Sequence, residues 1–341
     1  VDLAKFNFIA DDDKVSYESM REPTTLFKEG MHRLRKNRLA MASVVVLIVI
    51  ILGCVIVPYF LPYDYDEILR VNGQRDRTIT NLAPFTYSEL EQEARANGEF
   101  IFPHIMGTDE LGHDYFVRVL YGTRVSLVVG TFAALVVLII GLIYGSISGY
   151  FGGIVDLVMM RIVDIIYSLP DMLMIILLSV VLNETLSSRI AGTWMAKLGT
   201  NMISIFIIFA LLYWVSMARL VRGQVLQVKQ NEYVLAAKAS GANGGRIIRR
   251  HILPNCMSVI IIATALQIPS AIFTESYLSF VGLGVQVPMP SLGSLASAAR
   301  QGLTAYPYKL LFPALMISLI VLAFNLLGDG LRDAFDPKLR K

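Results

Sequence analysis

Twenty-one consecutive residues without a charge, Met41–Leu61, constrain this chain more than any other feature. A helix needs about 20 apolar residues to cross roughly 30 Å of hydrocarbon. Five further apolar runs follow, at about 125–148, 157–182, 202–221, 257–281 and 310–328. The third is interrupted by Arg161, Asp164, Pro170 and Asp171, and the fifth contains Pro269 and Glu275. Six runs predict an all-α membrane protein with six transmembrane helices. Composition agrees: 55% of the 341 residues are hydrophobic and 17% charged, more apolar matter than one buried core absorbs. The lipid bilayer is therefore the first partner. A net charge of +3 is too small to suggest a nucleic-acid partner. Cys54 and Cys256 cannot form a disulfide framework and read as small apolar residues. Asp11, Asp12 and Asp13, well ahead of the first run, do not read as a secretory signal.

The basic residues predict an orientation. Eighteen Lys and Arg fall in 1–40, 222–256 and the tail after 331, against nine in 62–124, 183–200 and 284–308. The positive-inside rule then places both termini and loop 222–256 in the cytoplasm. The expected organisation is a cytoplasmic tail 1–40, a first crossing 41–61 and an extracytoplasmic loop 62–124. A core of five crossings follows over 125–331, with a cytoplasmic tail 332–341. Thr25–Leu39, basic with Leu26, Phe27, Met31 and Leu34 at helical spacing, is expected along the inner membrane surface. Loop 62–124 is too long for a plain connection and carries eleven Asp/Glu against six Arg. Glu89–Ala96 within it has helix-forming composition. The loop reads equally as a docking surface and as a solvated cap.

Charges inside a crossing are costly and usually face a protein interior or a water-filled path. Arg161 and Asp164, three apart on one helix, are positioned to pair. With Glu275 and Asn325 they are the candidates for a translocation path. Hydrogen bonding between helices is the other reading of the same residues. Gly141, Gly145 and Gly149, spaced by four, make a small-residue stripe for close helix packing. Pro170 and Pro269 can bend their helices and free backbone carbonyls.

Loop 222–256 is not a simple connector. Glu232–Ser240 reads as a helix with Glu in its first turn, and Gly241 stands where a turn or C-cap belongs. Arg246–Leu253 reads as a second short helix stopped by Pro254. Together they make a compact knob that offers Val234, Leu235, Ile247 and Ile248 amid basic residues, a surface another protein can grip. The chain has no G-x-x-x-x-G-K-[ST] phosphate loop, so energy for active transport must come from a partner or an ion gradient. His32, His104, His113 and His251 are scattered, with no Cys/His ligand set or Ser/His/Asp constellation, which disfavours a membrane enzyme and a metal site.

The knob carries a family likeness. Ala236-Ala237-Lys238-Ala239-Ser240-Gly241, followed by Leu253-Pro254, resembles the EAA loop of ABC importer membrane subunits. Leu235 stands where the general pattern has Glu, and His251 where it has Ile. Glu232-Tyr233-Val234 before the Ala pair and Arg250-His251 before Leu-Pro-Asn look like the peptide-importer branch. GTDELGHDYFVRVLYGTRVSL (107–127) resembles the signature ahead of the second crossing in OppC/DppC-type permeases, with His113 and Val117 as departures. TESYLSFVGLGVQVPMPSLG (274–293), GDGLRDAFDPKLRK (328–341) and FKEGMHRLRKNRLA (27–40) match the same family in order. The resemblance covers roughly 27–341 and is least specific in 62–104.

The resemblance implies the type I fold of ABC importers and a multi-pass subunit of a prokaryotic cell membrane. It implies a second related permease subunit, two ABC ATPase subunits holding ATP and Mg, and an extracytoplasmic substrate-binding protein. No cofactor is expected on this chain. The coupling contact would fall on Glu232, Tyr233, Ala236, Ala237, Gly241, Arg246, Arg249, Arg250 and Pro254. The cargo implied is di- or oligopeptide, with nickel or another small solute as the alternative inside the family. The rivals outside it are an ion-gradient-driven transporter using Asp164 or Glu275, and a membrane scaffold.

Overall fold

The computed structural model describes residues 26–71, 73–190, 192–193, 199–284 and 289–335. The acidic and basic residues expected in 1–25 and at Lys338, Arg340 and Lys341 lie outside them, as does 285–288 of the 274–293 stretch.

Asn37 opens the first crossing, because its side-chain oxygen accepts from the backbone of Leu39 (3.1 Å) and Ala40 (3.2 Å). Ahead of it lies α1 (Leu26–Lys36). Among the described residues, six helical spans are long and apolar enough to cross a membrane: Arg38–Phe60, Tyr115–Phe151, Asp171–Ile190, Thr200–Val228, Gly244–Val281 and Pro307–Phe335. The first holds α2 (Arg38–Ile56). After a two-stranded hairpin, β1 (Arg70–Val71) and β2 (Gln74–Arg75), comes α3 (Glu89–Ala96). The second crossing is α4 (Tyr115–Phe151), and α5 (Gly153–Tyr167) and α6 (Asp171–Ile190) follow. The fourth combines α7 (Thr200–Ile208), a π-helical turn at Phe209–Tyr213 and α8 (Trp214–Val228). Then come α9 (Glu232–Ala239), α10 (Gly244–Ile247), a π turn at Ile248–Ile252 and α11 (Leu253–Val281). A short α12 (Leu292–Ala299) precedes the last crossing, α13 (Pro307–Phe335).

Two expectations need correction. The third apolar run is not one helix: α5 stops at Tyr167, because Pro170 has no N–H to continue the ladder, and α6 restarts at Asp171. α5 packs beside the unbroken 37 residues of α4, whereas α6 packs chiefly on α7. Pro254 does not stop a helix. It lies in the first turn of α11, where its missing N–H costs nothing, and the π turn before it keeps the chain helical from Gly244.

The glycine stripe is a packing surface. A Cβ on Gly141 would lie 2.5 Å from Met217 Cγ, one on Gly145 2.4 Å from the Ala218 carbonyl oxygen, and one on Gly149 2.9 Å from Val225 Cβ. The backbones of α4 and α8 approach that closely because lipid supplies no hydrophobic drive between helices. Gly145→Ala should therefore lower stability by about 1–3 kcal/mol, as overpacking does. Gly53→Ala, with nothing within 4 Å, should be neutral. Thermal unfolding in detergent checks the pair, and equal effects would refute the packing role.

At one end of the bundle, called the loop end, Met31, Leu34, Ala40, Ala334 and Phe335 pack together, so α1 rests on the last turns of α13. At the other, the cap end, residues 62–114 form an ordered layer tied to the bundle. Tyr308 Oη donates to the Leu82 carbonyl (2.8 Å), Tyr115 Oη to the Lys309 carbonyl (2.7 Å), and Lys309 Nζ to Asn81 Oδ1.

Inside that layer His104 is fully buried between two carboxylates, Nδ1 to Asp114 Oδ2 (2.8 Å) and Nε2 to Glu91 Oε1 (2.9 Å). Asp114 also caps α4 at the Val117 N–H, and Glu91 closes the capping box of α3 with Ser88. Burial disfavours the charged ring, but the bonds to Asp114 and Glu91 outweigh it and raise the His104 pKa to about 9. Because this lies above the ordinary value of about 6.5, the stabilisation is complete below about pH 6.5 and lost as pH climbs through about 9. Amide exchange of α3, corrected for intrinsic rate, should accelerate ~10-fold or more between pH 6.5 and 9.5. His104→Ala should abolish that dependence. A wild-type profile flat across the range would contradict the pinning role.

Candidate functional site

Two surfaces are candidates: the knob at the loop end and a polar cleft inside the bundle.

In the knob, α9 turns Val234 inward, where it joins Val225, Val228, Ile247, Ile252 and Cys256 in one buried cluster. Of the four apolar residues expected on its surface, Val234 and Ile247 are thus core, and Ile248 is half-buried. Tyr233 (42% exposed) and Leu235 (55% exposed) flank Val234 on either side of the helix, with Glu232 and Ala236 exposed on the outward side and Ala237 half-buried. Gly241 has φ +79°, the left-handed turn that reverses the chain after α9. Arg246, Arg249, Arg250 and Pro254 are exposed on the following segment. The knob is fixed to the bundle. Lys229 Nζ donates to the Tyr150 carbonyl, and Arg222 forms a two-pronged pair with Asp156 of α5. Asn243 caps α10 at the Arg246 N–H (2.9 Å). The result is an apolar, basic-rimmed projection on a rigid base.

The cleft forms where three irregularities meet. The break at 168–170 lies some 22 Å along α5 from the loop end, at 1.5 Å per residue. The π turn at Phe209–Tyr213 and Pro269 of α11 reach the same level. A cavity of about 180 Å³ opens between them, lined by Tyr167, Leu169, Asp171, Tyr213, Ser216, Gln267 and Ser270 among others. Broken helices and π turns inside a membrane persist only where protein or water satisfies the freed backbone.

The four path residues read from the sequence are not brought together. Asp164 pairs with Arg219 of α8 (2.7 Å) rather than with Arg161, because α8 packs against that face of α5. Arg219 also lies over the Tyr167 ring, 4.2 Å from its centroid, at the edge of the cleft. Arg161 is exposed on α5, and Asn325 is exposed on α13, away from the cleft lining. Glu275 is fully buried near the cap end. Its carboxylate accepts from Ser279 Oγ (2.7 Å), Ser126 Oγ (3.0 Å) and Ser276 Oγ (3.4 Å). Ser126 Oγ in turn accepts from the Leu292 N–H (3.3 Å) at the start of α12. This knot joins α4, α11 and α12 and has no opening to the cleft. Sequence reasoning missed Ser216, Gln267 and Ser270. The signal was the polar Gln267, Ser270 and Thr274 recurring at helical spacing on α11.

The chain matches two families: residues 141–341 that of the binding-protein-dependent transport system inner membrane component, and residues 25–84 the N-terminal TM domain of oligopeptide transport permease C. It is 41% identical to the oligopeptide transport system permease protein OppC of Bacillus subtilis, over 97% of this chain and 94% of that one. This chain belongs to the oligopeptide/dipeptide family of ABC importer permeases. The dipeptide transport system permease protein DppC of Bacillus subtilis is 42% identical to this permease, over 95% of this chain and 90% of the relative. The glutathione transport system permease protein GsiD of Pectobacterium atrosepticum is 35% identical over 95% and 94%. The permease is a multi-pass membrane transport subunit, and its relatives are permeases rather than ATPases.

Proposed function

We propose that this permease carries di- or oligopeptides and forms half of a path completed by a second, related permease. Its loop end faces the cytoplasm of a prokaryote, as the basic residues require. Two ATPase subunits, which hold ATP and Mg, grip the knob at Glu232, Tyr233, Ala236, Ala237, Gly241, Arg246, Arg249, Arg250 and Pro254. An extracytoplasmic binding protein delivers the cargo to the cap end. Nucleotide-driven closure of the ATPases moves the knob, and the bundle exchanges inward and outward access. No cofactor resides on this chain.

The observation that carries this reading is the exposed surface of α9: Glu232 and Ala236 face outward, and Tyr233 and Leu235 stand exposed on its two flanks, Leu235 lining a cavity with Phe151 and Leu226. Exposed apolar side chains rimmed by Arg mark a protein-binding surface. The test is uptake by the reconstituted complex, with a panel of peptides and nickel ions, with and without ATP. ATP-dependent accumulation of peptide is the expected result. Uptake of nickel alone, or uptake that collapses with an ionophore yet survives ATP depletion, would overturn it.

A further inference from the structure

Side chains that a membrane helix turns outward are ordinarily apolar, because lipid offers no hydrogen-bond partner. The cleft at the broken third crossing departs from that rule. Ser216, Ser270 and Asp171 are exposed there and Gln267 is half-exposed. The neighbouring charge, Asp164, is neutralised by Arg219. Asp171 has no basic partner among the described residues. A carboxylate without a counter-charge therefore lines a cleft whose other polar groups are neutral, in the first turn of α6 directly after the break that ends α5. A group so placed persists where water or a cationic partner meets it.

We propose that Asp171 is a station for the ammonium group of the cargo peptide. Its carboxylate accepts the charged N–H bonds of an amino terminus, or of a lysine side chain, as the peptide passes. Ser216, Gln267 and Ser270 meet the amides beside it, since a side-chain amide or hydroxyl both donates and accepts. A charge-assisted bond orients the peptide without holding it, which passage requires. One carboxylate with no imidazole or thiolate nearby does not suit nickel, which prefers such ligands. The proposal rests on the peptide reading above.

The test reads the cleft directly, without the binding protein. Ser216→Cys in a Cys54→Ala, Cys256→Ala background is assembled into the full complex and labelled with a charged, membrane-impermeant thiol reagent. Trialanine should slow labelling about threefold or more, and N-acetyl-trialanine should not, because it lacks the ammonium. Asp171→Asn should remove the protection and Asp171→Glu should keep it, with co-purification of the ATPases unchanged in both. Equal protection by the two peptides, no protection by either, or protection surviving Asp171→Asn would overturn the station. If the asparagine variant does not assemble, the comparison of free and acetylated peptide still decides. A complex that takes up no peptide at all would sink the peptide reading, whereas intact uptake with unselective protection sinks only the role of Asp171.

Discussion

Leu235→Asp is expected to abolish uptake while leaving the membrane bundle intact. Leu235 is 55% exposed and lines a cavity with Phe151 and Leu226 rather than entering the buried cluster around Val234, so stability should stay within about 1 kcal/mol. Placed at the centre of a protein contact, a buried carboxylate costs at least ~2 kcal/mol, or about 30-fold in association. The ATPase subunits should then fail to co-purify, or should hydrolyse ATP without transport. Val234→Asp is the contrast: Val234 is buried among Val225, Val228 and Ile247, so that variant should unfold the knob itself. Bulky replacements of Gly241 or Ala237 should also uncouple hydrolysis from uptake. At Gly241 the cause is the positive φ rather than a clash, since a Cβ there meets nothing within 4 Å. Normal transport by Leu235→Asp in a correctly assembled complex would rule out docking at α9.

Glu275→Leu should produce the largest loss of stability. The carboxylate is the shared acceptor for the hydroxyls of Ser126, Ser276 and Ser279, and Ser291 Oγ bonds onward to Ser279 (3.3 Å). Leucine would strand several buried hydroxyls at ~1–3 kcal/mol each, so a total of about 3 kcal/mol or more is expected. Glu275→Gln keeps one carbonyl acceptor, and the hydroxyls can rotate to accept from its amide, so it should cost much less. Thermal unfolding in detergent measures the difference, and amide exchange at α12 locates it. If leucine and glutamine behave alike, or α12 stays protected in the leucine variant, the knot does not hold that helix.

The membrane-spanning character was fully legible, because lipid demands length and apolarity within single segments. Met41–Leu61 and the four-residue glycine spacing declare themselves from one sequence. What resisted reading depends on contacts between segments. Arg161 and Asp164 have the right spacing for a pair, yet Arg219 on another helix takes Asp164. Glu275 carried the look of a path residue, but the serines that enclose it come from positions as distant as Ser126 and Ser291. Val234 and Leu235 are equally apolar neighbours. Only the rotation of α9 decides that one is core and the other surface. Pro254 failed as a stop signal because the π turn ahead of it has no sequence mark. His104, passed over as one of four scattered histidines, owes its role to Glu91 and Asp114, thirteen and ten residues away.

The fastening of the 62–114 layer has a mechanical corollary. Tyr308 and Lys309 grip its middle, Tyr115 ties the root of α4 to that same turn, and His104 rivets α3 to the cap of α4. Such a layer is a handle rather than a hinged flap. A load applied anywhere on it is delivered to the first turns of the second and sixth crossings together.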